Sequence, residues 1–293
     1  MNRLAELVRQ RLESLLWVEP ANNTRAGSLR EQESVRTFYP TDYLDGYLAA
    51  ESHSAGRQTS LLTKPSLSAS STLDTGINPP GQQNPGVIVG TACLELASIP
   101  LSEQICEFGC RLIAAGVGEL KLLPMFLMAG VHVMEDIPKE IATAKAQLGD
   151  SIRIIVSPHL GAHSDIAAVL ERRLAAVPLQ EAILVAHGSR RPKGNKKVQQ
   201  LAKRLNTAVA YWAVPPDIET QVIELMQQGC QGLTILPYFL FAGGITDAIT
   251  HRTEELAERF PKVKFRLLPT LGATEEVADL VVDLIEESES NRV

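Results

Sequence analysis

LTILPYFLFAGGITDAI (233–249) and LKLLPMFLMAGVHVMEDI (120–137) follow one pattern: an aliphatic run, a proline, an aromatic-aliphatic stretch, an Ala-Gly pair and a helix opening. Outward from them, KFRLLPTLGATEEVADLV (264–281) is answered by RIIVSPHLGAHSDIAAVL (153–170), and AVAYWAVPPDIETQV (208–222) by VIVGTACLELASIPLSEQI (87–105). VQQLAKRL (198–205) is answered by MNRLAELV (1–8), with Leu4-Ala5 opposite Leu201-Ala202. Nothing answers AILVAHGSRRPKGNKK (182–197). The chain is one unit written twice, and the first copy lacks the opening strand and the His-Gly-Ser-Arg loop that follows it.

Short Val/Ile/Leu runs predict strands at 87–91, 119–126, 153–156, 182–186, 207–212, 233–240 and 264–268. Helical periodicity falls between them, near 3–16, 102–114, 137–148, 164–176, 195–205, 218–228, 246–259 and 275–285. Apolar strands alternating with helices give parallel sheets covered on both faces. The fold expected is α/β, with two similar domains at 1–176 and 177–293. Each is a parallel sheet of about four strands flanked by helices, the first lacking its first strand. Residues 50–86 are rich in Ser, Thr, Gly, Pro and Gln, and are expected to form a largely disordered insert in the first domain. TFYPTDYLDGYL (37–48) has aromatics at helix-like spacing.

At 293 residues there is room for two ordinary domains. Aromatics are only 5% of the chain, so the cores must be built from Leu, Ile, Val and Ala. A net charge of −6 argues against nucleic-acid or membrane-surface partners. The N-terminal stretch reads as an amphipathic helix rather than a signal peptide, and the longest apolar run (122–134) is too short to span a bilayer. A cytoplasmic location, as monomer or homodimer, is the expectation. Cys93, Cys106, Cys110 and Cys230 form no CxxC and read as small hydrophobes in a reducing compartment.

Ligands of an open parallel sheet bind beyond the carboxyl ends of its strands. The loops holding His132, His163 and His187 all fall there. His132 stands out because Ile245 fills its place in the second copy, so the fold does not need an imidazole at that point. His187 sits between a strand and a helix, where it reads either as a functional group or as a support for the turn. Glu95, just past the strand expected at 87–91, is a candidate metal ligand or proton acceptor. His163 is answered by Thr274 and reads as helix entry, while Glu135 and Asp136 read as helix-cap carboxylates. Arg190, Arg191, Lys193, Lys196 and Lys197 are five cations with no acid among them, placed where they oppose a helix dipole. That placement fits an anionic ligand. No Walker A loop, GxGxxG, GxSxG or HExxH occurs, which weighs against NTP hydrolysis, dinucleotide redox chemistry and zinc peptidases.

LVAHGSRRP, LPMFLMAGVHVMEDIP, GTACLELA and LPYFLFAGGITDAI together resemble the CbiX/SirB-type sirohydrochlorin chelatases in their long, two-repeat form. The likeness covers 87–286 and the first helix. It implies an ATP-independent lyase that inserts Co²⁺ or Fe²⁺ into sirohydrochlorin, for cobalamin or sirohaem synthesis. No cofactor is implied beyond the substrate metal, and no partner beyond sirohydrochlorin and the ion. The family's metal-handling histidines lie in the HGSR and GVHV loops of its N-terminal copy, and only the second maps here, onto His132. His187 matches the HGSR motif but in the other copy. On this pattern a complete first copy would begin upstream of Met1, with a strand and an HGSR-like loop. His132 and Glu95 are then the expected metal ligands, with His187 a further catalytic candidate. Arg190, Arg191 and Lys193 would meet substrate carboxylates. Neutral imidazole suits the task, since it binds Fe²⁺ and Co²⁺ and still releases them. Two alternatives remain: a non-catalytic tetrapyrrole- or metal-binding protein derived from a chelatase, and a binder of another anionic small molecule.

Overall fold

The computed structural model describes residues 1–16, 87–178, 181–191 and 193–290. The insert expected at 50–86 and the aromatic stretch at 37–48 lie outside the described residues. In chain order come α1 (Asn2–Leu16), α2 (Leu101–Ala114), β1 (Glu119–Leu122), α3 (Ile137–Leu148), β2 (Arg153–Val156), α4 (Ile166–Ala175) and β3 (Glu181–Ala186). There follow α5 (Lys196–Arg204), β4 (Ala208–Tyr211), α6 (Ile218–Gln227), β5 (Gly232–Pro237), α7 (Gly244–Arg259), β6 (Lys264–Leu267) and α8 (Glu275–Ser290). A π-helical turn, His132–Asp136, leads into α3.

In the second repeat all strands run parallel in the order β4-β3-β5-β6. The strand β3 lies inside that sheet, and Ala182–Ala186 are 0–6% exposed. Successive side chains of a strand point to opposite faces. Accordingly Ile183 and Val185 pack with Ile218, Val222, Ile249 and Leu256 of α6 and α7. Leu184 and Ala186 face the opposite way, into a core shared with the first repeat. Each fully buried Leu, Ile or Val contributes about 1.5–3 kcal/mol by leaving water, so this strand anchors the domain.

The first repeat departs from expectation. Among the described residues its sheet has two strands, β1 and β2, not the three to four expected. Their register, Leu120 beside Ile154, matches that of Leu233 beside Phe265 in the second repeat. The segment at 87–91 carries strand-forming residues but joins no ladder, and Ile88 is 48% exposed. Its counterpart β4 pairs with β3, and among the described residues β3 has no equivalent in the first repeat. Strand propensity without a neighbour does not make a strand. The long strands expected at 119–126 and 233–240 end early, at Leu122 and Pro237.

One layer of helices joins the repeats. Leu4 and Val8 of α1, Ile166, Val169 and Leu170 of α4, Val198 and Ala202 of α5 and Val277, Ala278, Val281 and Leu284 of α8 share a single buried core. Within that layer α1 packs on α8, held by Arg11 Nε to Asp279 Oδ1 at 2.7 Å. In the same way α5 meets α4 through Arg204 Nε and Glu171 Oε1 at 2.9 Å. The first helix of each repeat thus docks on the last helix of the other.

Candidate functional site

The loop that follows β1 folds back on itself and then enters the π-turn. Phe126 N–H donates to Pro124 O at 2.9 Å, and Ile137 N–H reaches back five residues to His132 O. Such turns inside helices often mark functional positions. His132 opens the turn and is half-exposed. Its Nδ1 lies 2.8 Å from Asp136 Oδ2 and its Nε2 lies 3.8 Å from Glu95 Oε1. A carboxylate oxygen only accepts, so the contact with Asp136 is an Nδ1–H···Oδ2 hydrogen bond, and Nε2 is the ring nitrogen that faces Glu95. The ring of Phe126 lies 5.8 Å from the His132 ring, centroid to centroid.

Glu95 thus comes to the side of His132 from a segment with no regular structure, and these two sequence candidates meet. The structure does not support caps at 135 and 136. Neither the start of α3 nor that of the π-turn has a side-chain cap, because Asp136 holds His132 and Glu135 holds Arg191. Asp136 was missed as a partner of His132, although the i, i+4 spacing on a helix places the two side by side.

From the second repeat, the His-Gly-Ser-Arg loop is closed by Ser189 N–H to Asn195 Oδ1 at 2.7 Å and Asn195 Nδ2 to Ser189 O at 3.0 Å. Its glycine is required: Gly188 has φ +83°, and a Cβ there would lie 2.7 Å from Val214. His187 Nδ1–H donates to Gly188 O at 2.9 Å, and the imidazole is exposed. Arg191 Nη2 crosses to Glu135 Oε1 at 2.5 Å, which sets this loop against the π-turn that carries His132. Arg190, Lys193, Lys196 and Lys197 are exposed.

Two other histidines are buried. His163 Nδ1 accepts from Asp165 N–H at 3.0 Å at the entry to α4, and its Nε2 faces Asp283 Oδ2 at 3.6 Å. Beside it is an open surface depression of about 290 Å³ lined by His163, Ser164, Asp165, Asp283, Glu286 and Glu287, and by none of His132, Glu95 or His187. His159 Nδ1–H donates to Phe126 O at 2.9 Å. Burial pushes this imidazole below its ordinary range; the hydrogen bond opposes the shift and Lys197 adds to it. Cys106 lies 3.1 Å from Gln147 Oε1, and burial raises its pKa, away from the thiolate. Among the described residues no three His, Cys, Asp or Glu side chains converge in a way that could hold a metal ion. No described helix is long and apolar enough to cross a membrane.

Comparison with known proteins gives a consistent picture. A match to CbiX covers residues 81–177 and again 181–288. A sirohydrochlorin ferrochelatase of Bacillus subtilis is 24% identical over 211 residues, 67% of this chain and 79% of the relative. A sirohydrochlorin cobaltochelatase of Priestia megaterium is 22% identical over 217 residues, 69% of each chain. Among solved structures, SirB from Bacillus subtilis with Fe³⁺ superposes with a TM-score of 0.57 at 21% identity, over 68% of this chain and 81% of that one. A sirohydrochlorin chelatase SirB from Bacillus subtilis subspecies spizizenii, in complex with cobalt, gives 0.54 at 20% identity, over 68% and 80%. The two solved structures share the α/β fold of this chain.

Proposed function

The chain belongs to the CbiX family, and from that premise we propose that it inserts Co²⁺ or Fe²⁺ into sirohydrochlorin without ATP. The observation that carries the reading is the His132 imidazole. It stands at the carboxyl rim of its sheet with Nδ1 engaged and Nε2 facing Glu95. Nε2 and the Glu95 carboxylate receive the divalent ion. Two protein donors leave most coordination positions open, which suits an ion that must be passed on. As the metal enters the macrocycle two pyrrole protons leave, so one divalent charge replaces two single ones. Once the ion has moved to the pyrrole nitrogens, His132 Nε2 and Glu95 are free to accept those protons. Arg190 and Lys193, with Arg191 when it leaves Glu135, attract the carboxylates at the edge of the ring.

The test is metallation of sirohydrochlorin followed by its visible spectrum. His132→Ala is expected to lower the rate by about 100-fold or more with the fold intact by circular dichroism. Glu95→Gln falls less, and His187→Ala less than His132→Ala. Wild-type turnover in His132→Ala removes that residue from the mechanism, and a deeper loss in His187→Ala moves the centre to the second repeat.

One observation favours a second reading. The His-Gly-Ser-Arg loop occurs in only one repeat, so His132 has no second imidazole opposite it among the described residues of its own repeat. A non-catalytic tetrapyrrole- or metal-binding protein would bind sirohydrochlorin or cobalt without accelerating metallation above the free reaction.

A further inference from the structure

We infer that Asp136 is a positioning residue for His132, fixing the tautomer that presents Nε2 to the incoming metal ion. This rests on the reading of His132 as the metal-receiving group, and three observations carry it. First, Asp136 Oδ2 lies 2.8 Å from His132 Nδ1, and a carboxylate in that place can only accept, so of the two neutral tautomers it favours the one with the proton on Nδ1. With the proton there, the lone pair is on the nitrogen nearer Glu95. Second, among the described residues the Asp136 carboxylate has no other hydrogen-bond partner. It makes no cap to α3, and its side chain and that of His132 are 44% and 43% exposed, so the pair adds little to stability.

Third, the second repeat replaces the whole arrangement at once. Ile245 stands where the first repeat has His132, and Ile249 where it has Asp136. Ile249 is fully buried against β5, and α7 runs as a continuous α-helix from Gly244 with no π-turn. The imidazole, the carboxylate and the widened turn are therefore present together in one repeat and absent together in the other. A carboxylate kept only for helix entry would not need to follow the histidine. Ligating histidines commonly hand their second nitrogen to such a partner, which orients the ring and fixes its tautomer.

The experiment uses the full chain, with Co²⁺ alone as the probe, and compares wild type, His132→Ala, Asp136→Ala and Asp136→Asn. Affinity is read by calorimetry and the tautomer by ¹⁵N NMR of the imidazole ring nitrogens. Asp136→Ala is expected to weaken Co²⁺ binding by about 10–100-fold and to move the His132 signals toward the Nε2–H form. Asp136→Asn, whose amide oxygen still accepts from Nδ1–H, keeps the tautomer and recovers most of the affinity. Unchanged affinity and tautomer in Asp136→Ala, with binding lost in His132→Ala, overturns the role of Asp136 and leaves the metal-receiving role of His132 standing. Equal losses in the Ala and Asn variants overturn the tautomer role. Undiminished Co²⁺ binding in His132→Ala overturns the reading of the site itself, and the inference with it.

Discussion

His159 shows what one residue contributes without touching a ligand. It is 7% exposed, donates Nδ1–H to Phe126 O and feels Lys197 of the other repeat. Its pKa is lowered on folding from the ordinary 6.5, so as pH falls through that value the unfolded chain takes up a proton that the folded chain refuses. Stability is therefore full above about pH 6.5 and falls below it. In His159→Thr, which copies Thr270 of the second repeat, urea titrations between roughly pH 7 and pH 5 are expected to show a shallower acid loss. An acid loss as steep as wild type would assign it to other groups. At this scale the sequence was partly legible. His132 could be singled out because Ile245 shows what the fold requires there. The approach of Glu95 could not, since it depends on how an irregular segment is laid over the sheet. Asp136 was misread as a cap because a carboxylate at a helix start has two uses, and only coordinates say which it serves.

At the scale of elements, the loop leading to the π-turn is strapped down by the loop after β2. Leu160 N–H donates to Pro124 O at 3.1 Å and Gly161 N–H to Phe126 O at 2.9 Å. A Cβ at Gly161 would fall 1.9 Å from Leu127 O, so only glycine allows this approach. Gly161→Ala is expected to cost about 3 kcal/mol in chemical denaturation and to weaken Co²⁺ binding at His132. A variant as stable as wild type would show that the loop can yield. Element types were largely readable from periodicity: α3 buries Ile137, Ile141, Ala144 and Leu148 along one stripe, as helical spacing requires. The segment at 87–91 was the exception. Its residues prefer a strand, but a ladder is a property of two segments, and among the described residues no second segment lies beside it.

Over the whole molecule the two repeats are unequal in support. The second has a four-stranded sheet with a strand buried on both faces and paired on both edges, whereas the described sheet of the first has two strands. Hydrogen exchange is expected to be slower by on the order of tenfold or more in β3 and β5 than in β1 and β2. Equal protection would mean that β1 and β2 are supported by something beyond the described residues. The duplication itself was visible in the sequence, because each half repeats the other's order of strands, helices and Gly-bounded loops. How the halves join was not, since α1 and α5 reveal their partners only in three dimensions. That exchange of helices has a further result. The segment Met1–Leu16 is held by α8, some 260 positions away along the chain, through Leu4, Val8 and Arg11. A protease nick between residues 16 and 87 should therefore leave the short N-terminal fragment co-purifying with the large one until denaturant parts them.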